Sequence, residues 1–488
     1  MRLLAVLSLP LLATAAVAGD PGERAREAAH AAREYRRAHE QAIVDELLAL
    51  VAIPNVASDH ENVERNAAAI VSMFARRGAP ARLLRVEGAP PLVVADWLSP
   101  GATETIAFYA HYDGQPADPA KWSTPPWQPV VREGRVWGRS TSDDKAPIVA
   151  MLAAIDALRA AHVVPTVNVR FVLEGEEEAG SPHLAAYFER YRKAVVPDAW
   201  LICDGPVHQS RSMQLYFGAR GVVGLEITTY GATRPLHSGH YGNWAPNPIV
   251  VLTHLIDQMR DTEARILIPG FYDDVAPISP GEREALAAMP SIEADLGREL
   301  ALGRTEGAGR SLGEQILAPA MNLRGIEAGR VGAAAANAIP SEARASVDFR
   351  LVPKQTPSRV RDEVERFVSG RGFFVVHEAP SAATLAAHAN VVRLDWEAGY
   401  PASRTALDAP FAKRVFAAVS AGMGTPPLRA PSLGGSVPMF LFADGGRIPV
   451  VGVPIVNHDN NQHAANENLR LENLWHGIEV FAALFAGI

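Results

Sequence analysis

Apolar and polar positions follow two textures along this chain, and the change between them divides it. Residues 20 to 52 are rich in Arg, Glu and Ala and turn amphipathic at Ala42-Ile43-Val44-Asp45-Glu46-Leu47-Leu48, a periodicity that predicts a helix. From there to about residue 205 the pattern predicts helices near 61–77 and 145–161 and strands near 91–97, 105–110, 167–173 and 199–202. The strands are continuous apolar or β-branched runs, such as Ile106-Ala107-Phe108-Tyr109-Ala110, which suit a sheet covered on both faces. Helix and strand in alternation predict an α/β fold: a mostly parallel sheet with helices on both faces.

The texture changes near residue 217. Val222 to Thr228 and Ala343 to Arg350 alternate as half-exposed strands do, with helices predicted at 247–260 and 357–369. Residues 262–330 are rich in Gly, Pro and acidic residues, and an extended excursion with short helices is expected there. From about 403 the first texture resumes, with a helix at 409–423 and a strand at 449–453. The expected organisation is an outer domain in two parts, 19–216 and 402–488, around a smaller inserted α+β domain at 217–401.

Composition narrows the partners. Of 488 residues, 48% are hydrophobic and 20% charged, as in ordinary globular proteins. A net charge of −8 and the absence of any long Lys/Arg run argue against a nucleic-acid partner. Cys203 is the only cysteine, which excludes an intramolecular disulfide. Arg2, the apolar run from Leu3 to Val17 and Ala16-Val17-Ala18 form the pattern of a signal peptide over residues 1–18. That pattern predicts an exported protein, periplasmic or secreted, with no membrane span after cleavage.

Five acidic or histidine clusters carry the candidate chemistry: His111-Tyr112-Asp113, Asp143-Asp144, Glu176-Glu177-Glu178, Asp204 and His463. The first four lie just after short apolar strands or in the turns that follow, so they can converge at one edge of a sheet, where ligands of open α/β sheets bind. Imidazole and carboxylate suit zinc and similar ions, and a carboxylate left over can act as a general base. Singly each piece has a plainer reading. Asp143-Asp144 can cap the helix that follows, and Asp204 can be a turn residue.

His111-Tyr112-Asp113-Gly114, Gly138 to Lys145, Glu174 to Ser181, Asp204, His237-Ser238-Gly239 and Gln462-His463 together resemble the co-catalytic zinc peptidases, a family that includes carnosine dipeptidases, cytosolic non-specific dipeptidase, carboxypeptidase G and the aminoacylases. The resemblance runs from about residue 35 to the C-terminus. Asp-Asp-Lys, the long inserted domain and Gly434-Gly435-Ser436 are nearest to the dipeptidase branch. It implies a homodimeric metallopeptidase that binds two divalent ions, most naturally zinc, and hydrolyses dipeptides or short peptides with a free C-terminal carboxylate. The inserted segment would serve as lid and dimerisation domain. His111 and Asp204 would bind one ion, Glu178 and His463 the other, and Asp143 would bridge them. Asp113 would orient His111, and Glu177 would take a proton from the attacking water and pass it to the leaving amine.

The register of the Glu run is anchored on Ala179-Gly180-Ser181, which leaves Glu176 solvated or structural. His237, with His240 as rival, would reach across the dimer to an oxyanion, Arg350 would clamp the substrate carboxylate, and Asn337 and Ser436 would add polar contacts. His458 competes with His463 for the last ligand position. Ser140 and Ala146 stand where the family commonly has Gly. The same resemblance accommodates an N-acyl-amino-acid deacylase or a carboxypeptidase, and a different class of alternative is a non-catalytic exported binding protein.

Overall fold

The computed structural model describes residues 20–435 and 437–488, so the expected leader at 1–18 and Ser436 lie outside the described residues. The main sheet has eight strands, in the order Ala81–Leu84, Leu92–Trp97, Asn168–Glu174, Thr105–His111, Ala199–Ile202, Val450–Gly452, Gln214–Tyr216 and Leu428–Ala430. The four from Asn168–Glu174 to Val450–Gly452 run parallel to one another. Antiparallel pairing is confined to their flanks.

Alternate residues of one strand enter different cores, which is why the strands read as unbroken apolar runs. Ile106, Phe108 and Ala110 pack with the helices Pro21–Val51, Lys145–Ala160 and Leu471–Gly487, whereas Ala107 and Tyr109 pack with Tyr187, Phe188 and Phe442 on the other face. The Phe108 ring meets Phe485 edge-on at 4.9 Å and Phe481 at 6.1 Å. Burial of each such ring contributes roughly 1.5–3 kcal/mol. The first helix begins where Asp20 accepts the Glu23 N–H and Pro21 enters the first turn.

A second sheet uses Ala320–Glu327, Glu342–Leu351, Gly221–Tyr230, Val391–Trp396 and Phe374–Val376, in that order. Val223, Leu225, Ile227, Val347 and Phe349 face the helices Pro248–Met259 and Pro357–Gly370. Glu226 and Ser346 lie between them on the opposite face, so one side of this sheet is polar. Residues 262–330 contain the expected short helices, Pro280–Ala287, Glu293–Glu299 and Leu312–Ile316, but they end in the edge strand Ala320–Glu327, which the sequence pattern missed. Only Met321 of that strand is buried and its register shifts between Leu323 and Gly325, so no alternation marks it. Among the described residues no helix is long and apolar enough to cross a membrane.

Candidate metal centre

The parallel strands deliver three clusters to one edge. His111 is the last residue of Thr105–His111 and pairs with Glu174, the last residue of its neighbour, while Asp204 follows Ile202 by two positions. Between Glu174 and the Glu run, Gly175 lies against the Tyr112 ring, where a Cβ would stand 2.5 Å from the phenol oxygen. No other residue fits that turn without displacing the ring. The chain then makes a single 3₁₀ turn, Glu177–Ala179, pinned by fully buried Asp113: its Oδ1 accepts the Glu177 N–H at 3.1 Å and its Oδ2 the Glu178 N–H at 3.0 Å. Glu176 is buried and structural rather than solvated, its carboxylate holding the His183 backbone N–H at 3.1 Å and ring Nδ1 at 3.0 Å.

Asp143 and Asp144 close the loop before the helix Lys145–Ala160. Asp144 occupies the N-cap position yet makes no side-chain cap bond; its Oδ2 accepts the His111 backbone N–H at 3.3 Å. The capping explanation therefore fails for this pair. Buried Lys145 ties the helix start to the end of the first helix, donating to the carbonyls of Leu50 at 2.9 Å and Ile53 at 3.0 Å. Ser140 adopts a left-handed φ of +64°, the physical reason glycine suits that position, and its hydroxyl accepts the Asn55 amide at 2.9 Å.

Two groups of donor atoms result, His111 with Asp144 and Asp204, and Asp143 with Glu178 and His463, each with its atoms within 4.8 Å of one another. Asp143 touches both: Oδ1 lies 2.9 Å from His111 Nε2 and Oδ2 lies 3.1 Å from His463 Nε2, which is also 3.1 Å from Glu178 Oε2. His111 turns Nδ1 toward Asp113 Oδ1 at 3.3 Å, so Nε2 is the nitrogen presented to the cluster.

The donor set fits metal ions. Asp143 Oδ2 and Asp144 Oδ1 are buried yet receive no aligned hydrogen bond, although His463 Nε2 lies beside the first. Unpaired buried oxygens are costly, and lone pairs aimed at shared space are what a cation satisfies. Carboxylates crowd the site. Burial pushes Asp144 well above the usual carboxylate range, with Asp204 adding to the shift, and burial with Asp143 nearby raises Asp204 to about 6. Burial also raises Glu177, opposed by His111 and reinforced by Asp204, Asp143 and Glu178. Contacts with Asp143 and Glu178 hold His463 at about 10, and His111 stays well above its ordinary value because Asp113 and Asp143 outweigh the effect of burial.

The remaining candidates lie elsewhere. His237 is exposed, with side-chain contacts that are local: its Nδ1 accepts the Gly239 N–H at 3.1 Å and its ring lies 4.5 Å from that of His240. Asn337, also exposed, accepts the Ser238 N–H on its carbonyl at 2.9 Å. Arg350 is partly buried on the polar side of the second sheet and donates to Asp348 at 2.7 Å. His458 is not part of either donor group, and its Nδ1 is buried without a partner. Sequence reasoning passed over Asp144 as a donor and Glu467 altogether. The adjacent-aspartate pair was the available signal for the first, and none marked the second.

The chain matches Peptidase family M20/M25/M40 over residues 107–486. It is 28% identical over 409 residues to the human Beta-Ala-His dipeptidase, covering 81% of this chain and 77% of that one. With a Cys-Gly metallodipeptidase of Schizosaccharomyces pombe it shares 28% identity over 467 residues, 90% of this chain and 94% of the relative. A metallo-carboxypeptidase structure from Sulfolobus solfataricus superposes with a TM-score of 0.75 at 26% identity, covering 91% of this chain and 98% of that one. Peptidases of this family depend on a dinuclear metal centre. The comparisons also overturn the expectation of export: the chain's relatives include the Cys-Gly metallodipeptidases of Schizosaccharomyces pombe and Saccharomyces cerevisiae, and the protein is not placed outside the cytoplasm. By this match across most of its length and by its fold, the chain belongs to peptidase family M20/M25/M40 and is a metallopeptidase.

Proposed function

We propose that this metallopeptidase hydrolyses the amide bond of dipeptides or short peptides that end in a free carboxylate, with two zinc ions bridged by Asp143 and with Glu177 as general base. The observation that carries this reading is the contact of Asp143 with an imidazole of each donor group, 2.9 Å to His111 and 3.1 Å to His463, beside a Glu177 whose backbone is fixed by Asp113. His111 and Asp204 serve one ion, with Asp144 in reach, and Glu178 and His463 serve the other. When bound, two such ions would supply Lewis acidity toward the scissile carbonyl and lower the pKa of water toward neutrality. Glu177 would take a proton from the attacking water and deliver it to the leaving amine. Asp113 keeps His111 in the tautomer that presents Nε2 and keeps the Glu177 backbone in place.

Arg350 supports the preference for a free carboxylate, since a guanidinium on the polar face of the second sheet can grip one in bidentate fashion. Asn337 and Ser436 are proposed as further polar contacts. The second sheet belongs to an inserted domain at 217–401, and its edge strand Ala320–Glu327 exposes Leu323 and Ile326, which supports a homodimer formed through this edge. In such a dimer exposed His237 is available to the partner's site as an oxyanion donor.

A panel of dipeptides, tripeptides and N-acyl amino acids, run with bound metal quantified, tests the reading. Preferential dipeptide cleavage with two ions per chain is expected. Release of acyl groups without dipeptide cleavage would point to a deacylase, and turnover limited to longer peptides to a carboxypeptidase.

A further inference from the structure

Glu467 lies four residues beyond His463 and just ahead of the strand Asn468–Arg470, which pairs antiparallel with Arg135–Trp137. Its carbonyl accepts the Gly138 N–H at 3.0 Å, continuing that ladder into the loop that carries Asp143. The side chain is fully buried inside the loop. Oε1 accepts the Ser142 N–H at 3.0 Å, the Ser142 hydroxyl at 2.8 Å and the Asp143 N–H at 3.0 Å. Oε2 accepts Arg139 Nη1 at 2.8 Å and the Ser140 N–H at 2.9 Å.

Five donors therefore converge on one carboxylate, which has about four lone-pair sites, and bonds to an ionised acceptor are roughly twice as strong as neutral ones. Three of the five are main-chain N–H groups of the loop itself, so they fix its backbone rather than a side chain. Arg139 neutralises the buried charge. Glu467 belongs to neither donor group, yet it joins segments 324 residues apart that both feed the same one, the group of Asp143, Glu178 and His463.

We propose that Glu467 is a positioning residue of the metal centre, whose carboxylate holds the 139–143 loop so that Asp143 and His463 meet at the same ion; this rests on the metal-centre reading above. In Glu467→Gln an amide N–H₂ replaces one oxygen and confronts donors of the loop. Ser142→Ala removes the hydroxyl bond alone and leaves the three main-chain bonds.

The test titrates zinc into metal-stripped wild type, Glu467→Gln and Ser142→Ala, with stoichiometry and affinities from calorimetry and folding of the stripped chains checked by circular dichroism and melting. Wild type is expected to bind two ions. Glu467→Gln, folded, is expected to bind one of them 10- to 100-fold more weakly, the usual scale for losing an outer-shell partner, and Ser142→Ala roughly threefold to tenfold more weakly. A folded Glu467→Gln with both affinities within twofold of wild type would overturn the proposal. If Glu467→Gln does not fold, Ser142→Ala decides, and unchanged zinc affinity there overturns it. Should wild type bind fewer than two ions, the metal-centre reading itself falls and the positioning role with it.

Discussion

Replacing Asp113 by Asn isolates the part played by a carboxylate that touches no substrate. Asp113 is fully buried, accepts the Glu177 and Glu178 N–H groups at 3.1 and 3.0 Å, and lies 3.3 Å from His111 Nδ1. Asn keeps one acceptor and turns an N–H₂ toward the other donor, so one main-chain N–H in the 3₁₀ turn is orphaned. A hydrogen bond to a charged acceptor is worth about 1.5–3 kcal/mol, and a buried unsatisfied donor costs about 1–3 kcal/mol. Taking about 3–4 kcal/mol for the combined loss, and about 1.36 kcal/mol per tenfold in rate, Asp113→Asn should lower kcat/KM for a dipeptide by roughly 10²- to 10³-fold. The fall should lie mostly in kcat, because Glu177 loses its orientation while the substrate contacts stay in place. The assay is steady-state hydrolysis at saturating zinc, with bound metal quantified in the same preparation. An Asp113→Asn enzyme that holds two ions and turns over within threefold of wild type would show that Asp113 does not position Glu177.

Metal binding should release protons. His463 sits at about 10 and His111 well above its ordinary value in the metal-free chain, and both must be neutral to bind an ion. Zinc affinity should therefore rise with pH across the neutral range, and the calorimetric enthalpy should vary with the ionisation enthalpy of the buffer; an enthalpy independent of buffer would contradict this. At Ser140, changing to Gly relieves a left-handed residue worth about 1–2 kcal/mol and loses a hydroxyl acceptor worth about 0.5–1.5 kcal/mol, so stability should change little. Ser140→Ala keeps the strain and loses the hydroxyl, and with the entropy cost of Gly set against the strain it should fall below Ser140→Gly by about 0.5–1 kcal/mol in urea unfolding; a Ser140→Ala midpoint above that of Ser140→Gly would show that the φ of residue 140 carries no cost.

The strand ends were legible because the central parallel strands are covered on both faces and leave unbroken apolar runs, with His111 and Asp204 at or just beyond their carboxyl ends. The strand Ala320–Glu327 was not legible, since an edge strand with one buried residue and a register shift carries no period of two. The helix Leu471–Gly487 also escaped notice: from Gly477 on every residue is buried, and a helix without a polar face shows no period of 3.6. Within the site, residue types pointed to His111, Asp143, Glu178 and His463, which the fold brings together. Asp144 was hidden by its resemblance to a helix cap, and Glu467 by the 324 residues that separate it from the backbone it holds. A bond between distant segments leaves no local pattern to read.

The most direct test of the account is Glu177→Gln, made in the full chain, loaded with zinc and compared with wild type on the best dipeptide of the panel. The substitution removes the proton acceptor without altering the Asp113 bond to the residue 177 backbone, so two ions should remain bound while kcat falls about 10²- to 10⁴-fold. Dipeptide cleavage that survives at the wild-type rate with both ions in place would contradict the assignment of Glu177 as base, and with it the proposed mechanism.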